Sequence, residues 1–293
     1  MGLRTWLYKK TGVKLRKFES APLGQPLCPG IPVQEYEALQ ARLADTHTQL
    51  AKTQTQLDET LRIADFYAPK RDNSYVVREE FQGLRRSQAA VQKLLDDFEF
   101  NSVLDIGAGA LEQSILFSKY GKQVTAIDFG VSVYYQEFKT EDGASIRQIL
   151  GDFNQIELDE QFDCVWASHI LEHQPDADLF LKKLVSLTKE NGLIAITVPA
   201  FDHVIVGGHM SLWNAGLILY RLVLVGVNCA DAHILSYGDN ISVIVKKQTI
   251  TPQDIEYDCG DLRRIKNYLP QGMAYYSNPR DEPFMGNIAS LNW

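Results

Sequence analysis

Val103-Leu104-Asp105-Ile106-Gly107-Ala108-Gly109 is the stretch on which the fold turns. An apolar strand that runs into Gly-Ala-Gly ends in a tight backbone turn. Its glycines let main-chain amides approach a ligand at the start of the next helix. Outward from this point the elements alternate. Apolar patterning predicts strands over 102–106, 123–127, 146–150, 162–167 and 192–198, with helices at about 111–119, 131–138 and 176–189. Residues 74–98 read as one or two helices feeding the core. Strands that are apolar throughout and alternate with helices predict a doubly wound, mostly parallel α/β sheet covered on both faces. Beyond Pro199 the pattern changes to a helix near 212–224 and strands at 231–236 and 241–246. Tyr237-Gly238-Asp239-Asn240 between these strands predicts an antiparallel hairpin closing one edge of a seven-stranded sheet.

The ends of the chain have a different character. Of 293 residues, 45% are hydrophobic and 23% charged, which excludes a disordered or collagenous chain. The net charge of −8 is unevenly spread. Residues 1–18 carry Arg4, Lys9, Lys10, Lys14, Arg16 and Lys17 and no acid, leaving 23 basic and 37 acidic residues in the rest. Residues 1–33 therefore form a basic arm and a Pro/Gly linker. Trp6, Leu7, Tyr8 and Phe18 interleave with the cations, a pattern suited to an anionic membrane surface. The acidic body and the lack of a reader motif speak against nucleic acid. Residues 34–66 contain no Gly or Pro and predict one long helix. Tyr36, Leu39, Leu43, Leu50, Leu57 and Ala64 occupy heptad positions, with Thr46, Thr53 and Thr60 in the remaining seam. That seam predicts weak coiled-coil self-association, the alternative being a lone amphipathic helix. The α/β unit is placed at 67–247, and 248–293 is a C-terminal extension with no assignable fold. Four scattered cysteines and no secretory signal predict a cytoplasmic protein, with the arm either at the inner face of a membrane or, the alternative, a solvated disordered segment.

Gly107-Ala108-Gly109 alone also fits a plain βα turn. Asp128 ends the next strand, where a carboxylate can accept from both ribose hydroxyls. A dinucleotide fingerprint needs Gly or Ala where Glu112 stands, and that carboxylate would face a pyrophosphate, so an NAD-dependent oxidoreductase is disfavoured.

Across residues 75–247 the sequence resembles the class I S-adenosylmethionine (SAM)-dependent methyltransferases. The resemblance rests on VLDIGAG, Asp128, Gly151-Asp152-Phe153, FDCVWASHILEHQPD and ENGLIAITVP, in that order, and on the closing hairpin. It implies SAM as cofactor, with Asp105, Gly107 and Gly109 at the methionine end and Asp128 on the ribose. Asp152 and Phe153 would hold the adenine, and Ser168 and His169 would lie near the sulfonium. Leu111 stands where the family usually has a third glycine.

His169-Ile170-Leu171-Glu172-His173 also spells a zinc-peptidase motif, but a strand end precedes it and Pro175 follows, so no long helix presents both histidines. Within the methyltransferases it resembles the E-x-x-E-H stretch of ubiquinone-biosynthesis O-methyltransferases, which can hold a divalent cation, with His169 replacing the first acid. His169 and His173 are the candidate catalytic residues, His169 as general base. His203, His209 and Trp213 are candidate acceptor-site residues. The expected reaction is methyl transfer to a hydroxyl of a sugar, glycan or other small polar metabolite. The competing expectation is a non-catalytic scaffold on a degenerate methyltransferase fold.

Overall fold

The computed structural model describes residues 32–67, 71–132, 135, 146–200, 205–251, 255–276 and 282–293. The basic arm, most of the helix expected near 131–138, and His203 lie outside the described residues. The chain divides into two compact units, Met1–Ala68 and Pro69–Trp293.

In the first unit, helix α1 runs over Val33–Tyr67. The hydroxyls of Thr46, Thr53 and Thr60 bond back to the carbonyls of Arg42, Gln49 and Gln56. That satisfies each Oγ1 within the helix. Leu39, Leu43, Leu50 and Leu57 are exposed.

The second unit opens with α2 (Glu79–Gln82) and α3 (Gln88–Asp97). The sheet follows as β1 (Ser102–Ile106), β2 (Gln123–Asp128), β3 (Ile146–Leu150), β4 (Phe162–Ser168) and β5 (Thr188–Pro199). Helices α4 (Glu112–Lys119), α5 (Ala177–Leu187) and α6 (Ala215–Leu224) intervene. β6 (His233–Tyr237) and β7 (Asn240–Lys246) form the expected hairpin, with Tyr237 opposite Asn240 and only Gly238 and Asp239 between them. After α7 (Asp261–Ile265) the chain ends in β8 (Ser290–Leu291). The strand order is β3-β2-β1-β4-β5-β7-β6-β8, parallel through β5 and antiparallel beyond it.

Alternate residues of the central strands feed two cores, one on each face. Leu104, Ile106, Val165, Ala167, Ile194 and Ile196 pack on one side with α5 and α6. Val103, Cys164, Trp166, Leu193 and Ala195 pack on the other with α3 and Phe117 of α4. A strand buried on both faces has no polar side to show, which is why the sequence reads as unbroken apolar runs.

Three differences from the sequence-based expectation have local causes. The sheet has eight strands because the tail pairs Leu291 with Ile234 and Ser290 with Leu235. A two-residue strand leaves no periodicity to read. β5 begins at Thr188, directly after α5, with an irregularity opposite Phe162–Cys164. Helix α6 starts at Ala215 because Asn214 caps it, accepting from the Leu217 amide at 2.8 Å.

Candidate functional site

The carboxyl ends of β1, β2 and β4 converge on one cavity of 390 Å³. In parallel α/β sheets ligands collect at such strand ends, where the chain order reverses. Here β1 is followed by β2 on one side and flanked by β4 on the other.

The loop after β1 is built by left-handed residues. Gly107 and Gly109 have φ of 74° and 51°. A Cβ at Gly107 would meet the Ile170 side chain at 3.0 Å. Leu111 also has φ 60° and serves as the N-cap residue of α4, while its side chain is 4% exposed in the core. The position where the family usually has glycine is thus left-handed here too, held by a leucine that its buried side chain stabilises.

Asp128 fixes this loop in place. Its Oδ2 accepts from the Gly109 amide and its Oδ1 from the Gly130 amide, both at 2.9 Å. Each oxygen keeps a further lone pair, and the residue lies on the cavity wall.

Of the residues singled out by sequence, Gly107, Gly109, Asp128, Ser168, His169 and His173 line this cavity together. Asp105 does not. It is 2% exposed, behind the loop, where Oδ2 accepts from Ser114 Oγ at 2.6 Å. Burial pushes its carboxyl up to about 7, against the Ser114 hydrogen bond and with the help of the Asp128 charge. Asp152 and Phe153 also lie off the wall. The Asp152 carboxylate accepts from Asn154 N and Gln155 Nε2 in its own turn, and Phe153 packs edge-on against Phe180 in the core.

Sequence reasoning missed Arg85, Arg86 and Phe129 on the cavity wall. The arginines come from the turn between α2 and α3, and that turn is tied to the strand end by the 2.6 Å contact between Ser87 Oγ and Ser168 Oγ. Their only signal is a pair of cations upstream of the first strand. Phe129 is exposed beside Asp128.

A second cavity of 150 Å³ is lined by Arg71, Glu172, Val206, His209, Trp213 and Asp239, among others. His173, on the first cavity, and His209, on the second, are ring neighbours 4.8 Å apart. Burial holds the His209 imidazole below its usual pKa, with the Glu172 charge opposing. Trp213 is buried and donates to Ser211 Oγ at 2.7 Å, so it both anchors the start of α6 and lines this cavity.

His169 follows β4 with φ 54°, and its Nε2 pairs with Asn240 Oδ1 at 2.9 Å. An amide oxygen only accepts, so Nε2 carries the proton. The other nitrogen, Nδ1, is buried without a hydrogen bond, 3.5 Å from Glu172 Oε1. His173 Nδ1 pairs with the Gly208 carbonyl at 2.8 Å, leaving its Nε2 toward Glu172.

Residues 104–196 match a family model described as a methyltransferase domain. A ubiquinone biosynthesis O-methyltransferase of Pseudomonas fluorescens (strain Pf0-1) is 32% identical over 96 residues, covering 31% of this chain and 41% of that protein. Its namesake from Stutzerimonas stutzeri (strain A1501) is 36% identical over 97 residues, with the same shares covered. The chain thus spans about two fifths of the length of the curated relatives it matches. Among solved structures, a 1,6-didemethyltoxoflavin-N1-methyltransferase of Burkholderia thailandensis has a TM-score of 0.47 at 17% identity, covering 78% of this chain and 94% of that one.

Proposed function

We propose that this chain, which carries a methyltransferase domain of the class I type, uses SAM to methylate a hydroxyl of a small polar acceptor such as a sugar, glycan or other metabolite. The observation that carries the reading is the 390 Å³ cavity at the strand ends, where Asp128 grips the Gly107–Gly109 loop and still offers both oxygens. When bound, SAM supplies a methyl group activated on a sulfonium.

The residues around it have separable tasks. Asp128 accepts from the two ribose hydroxyls. Phe129 offers an exposed ring to the adenine, and Arg86 faces the methionine carboxylate. The second cavity receives the acceptor, with His209 and Trp213 on its wall. His169 takes the hydroxyl proton as the oxygen attacks. Asn240 orients the ring through Nε2–H, and the lone pair on Nδ1 faces Glu172, which lines the second cavity, so the proton reaches Nδ1 from that side. Holding oxygen and methyl carbon in line about 3 Å apart supplies much of the remaining acceleration.

The appendages locate the enzyme. Helix α1 presents exposed leucines flanked by internally satisfied threonines, which supports pairing with a second copy. The six cations of residues 1–18 would hold the protein at an anionic membrane surface. No helix among the described residues is long and apolar enough to cross a membrane.

Radiolabelled SAM with a panel of hydroxylated acceptors tests the reading. Acceptor-dependent label is expected, with turnover falling about 100-fold or more in His169→Ala while SAM still binds. SAM binding without transfer to any acceptor would favour a scaffold.

A further inference from the structure

Ser87 caps α3 without using its hydroxyl for the cap. The residue is fully buried and left-handed at φ 61°, a backbone that a non-glycine residue keeps only where its surroundings impose it. A serine at a helix N-cap ordinarily turns its hydroxyl back onto the first free amides of the helix. Here that bond is not made, and Oγ instead reaches Ser168 Oγ at the end of β4, 2.6 Å away. The Ser87 carbonyl accepts from the Val91 amide at 3.0 Å, and the Ser87 amide donates to Asn240 Oδ1 at 3.3 Å. All three polar groups of the residue are engaged, two of them with the sheet rather than with the helix it begins.

Asn240 is the first residue of β7. Because β7 runs antiparallel to β5, with Asn240 opposite Pro199, it lies at the end of the sheet where β4 and β5 finish. Its Oδ1 accepts twice, from the Ser87 amide and from His169 Nε2 at 2.9 Å. The two donors differ in freedom. A backbone amide can only donate, so it fixes the Asn240 side chain with oxygen, and not nitrogen, toward the pair. An imidazole can carry its proton on either nitrogen, and this ring has a rival acceptor. Nδ1 lies 3.5 Å from Oε1 of Glu172, which is 1% exposed and has no hydrogen-bond partner at either oxygen. A buried carboxylate without donors draws any proton within reach. Moving the proton to Nδ1, however, would set the Nε2 lone pair against an oxygen that the Ser87 amide keeps from turning away.

We infer that Ser87 and Asn240 are positioning residues that decide which nitrogen of His169 keeps its proton. The Ser87 amide holds the Asn240 oxygen inward, that oxygen makes Nε2 the fixed donor, and Nδ1 becomes the nitrogen at which a proton arrives and leaves. Without the Asn240 oxygen, Glu172 is the remaining acceptor beside the ring. The neutral imidazole then carries its proton on Nδ1 and has no lone pair to offer on that side.

The relay also joins the two halves of the site. The turn that ends in Ser87 carries Arg85 and Arg86 onto the wall of the 390 Å³ cavity, and Glu112 holds Arg85 there through its backbone amide and Nε. One turn therefore lines the cofactor cavity and sets the proton of the base. A histidine held in the wrong tautomer costs a Ser-His-Asp triad about 10⁴-fold in turnover, so the placement matters wherever a histidine accepts a proton. The catalytic consequence rests on the proposed role of His169 as that acceptor, whereas the placement of its proton does not.

The test reads the proton directly. Two-bond ¹H–¹⁵N correlation spectra of the full-length chain, labelled at histidine, tell the protonated ring nitrogen from the one with a lone pair. The His169 signal is the one missing from His169→Gln, and spectra are recorded at rising pH until its ring is neutral. Nε2–H is expected in the wild type and in Asn240→Asp, which keeps an inward oxygen. It is also expected in Ser87→Gly, which keeps the amide and the left-handed backbone and loses only the hydroxyl. Asn240→Ala should move the proton of the neutral ring to Nδ1. Should that variant misfold, as judged by circular dichroism, Asn240→Leu replaces it with the same expectation. Nε2–H in the folded Asn240→Ala or Asn240→Leu chain would overturn the inference. So would Nδ1–H in the wild type or in Ser87→Gly, or a ring that stays doubly protonated until the chain unfolds. At saturating SAM, turnover should fall about 100-fold or more in Asn240→Ala and largely return in Asn240→Asp. A tautomer that moves while turnover does not would leave the relay standing and remove His169 as the base.

Discussion

The Gly109 amide donates to Asp128 Oδ2 at 2.9 Å, joining the loop after β1 to the end of β2. One carboxylate thus shapes the loop and presents itself to the cavity. Asp128→Asn would keep the volume but lose the charge, and could turn an NH₂ toward the Gly109 amide. A hydrogen bond to a charged group is worth about 1.5–3 kcal/mol, so SAM affinity should fall about 10- to 100-fold. Isothermal titration calorimetry of wild type and variant measures this directly.

Asp105 gives the protein a pH dependence. Burial lifts its folded carboxyl from the ordinary 3.8 to about 7. The folded state therefore holds a proton that the unfolded state releases at lower pH. The stability this contributes is fully present below pH 3.8 and is lost as pH rises through about 7. The change amounts to about 4 kcal/mol at most, and Asp105→Asn should abolish it. Urea midpoints at pH 5 and pH 8 for both proteins make the comparison.

Leu111 sets burial against backbone strain. Leu111→Ala keeps a left-handed non-glycine residue and loses a buried side chain, which costs about 2–4 kcal/mol. Leu111→Gly loses the same side chain but relieves the backbone, so it should be about 1 kcal/mol more stable than the alanine variant. Thermal melting of the two variants decides the order.

The tail strand is structural. Ser236 N and Oγ bond to the carbonyls of Ala289 and Ile288, and Trp293 meets Tyr75 edge-on at 6.0 Å. Truncation after Asn287 removes these contacts and bares the edge of β6. The expected loss is about 3–5 kcal/mol, or roughly 10 °C in melting temperature, with a greater tendency to aggregate.

Most of the sheet was legible because its strands are apolar on both faces and end in turns with glycine or acid. The cavity residues on strand ends, Gly107, Gly109, Asp128, Ser168 and His169, were legible for the same reason. Asp152 and Phe153 were harder to place. A turn aspartate that caps itself and one that faces a ligand look identical in sequence, and an aromatic beside it packs inward as readily as outward. Arg85, Arg86 and the Ser87–Asn240 contact are joined to the site only by tertiary packing. Ser87 meets Asn240 across 153 positions of chain, a separation that has no sequence period. β8 is too short to leave one.

The cavity at the ends of β1, β2 and β4 is proposed to hold SAM. Calorimetric titration of the full-length chain with SAM, beside NAD as a control, tests it most directly. One SAM per chain, with a dissociation constant in the micromolar range, and no heat from NAD are expected. No SAM binding at millimolar ligand, or NAD binding in its place, would contradict it.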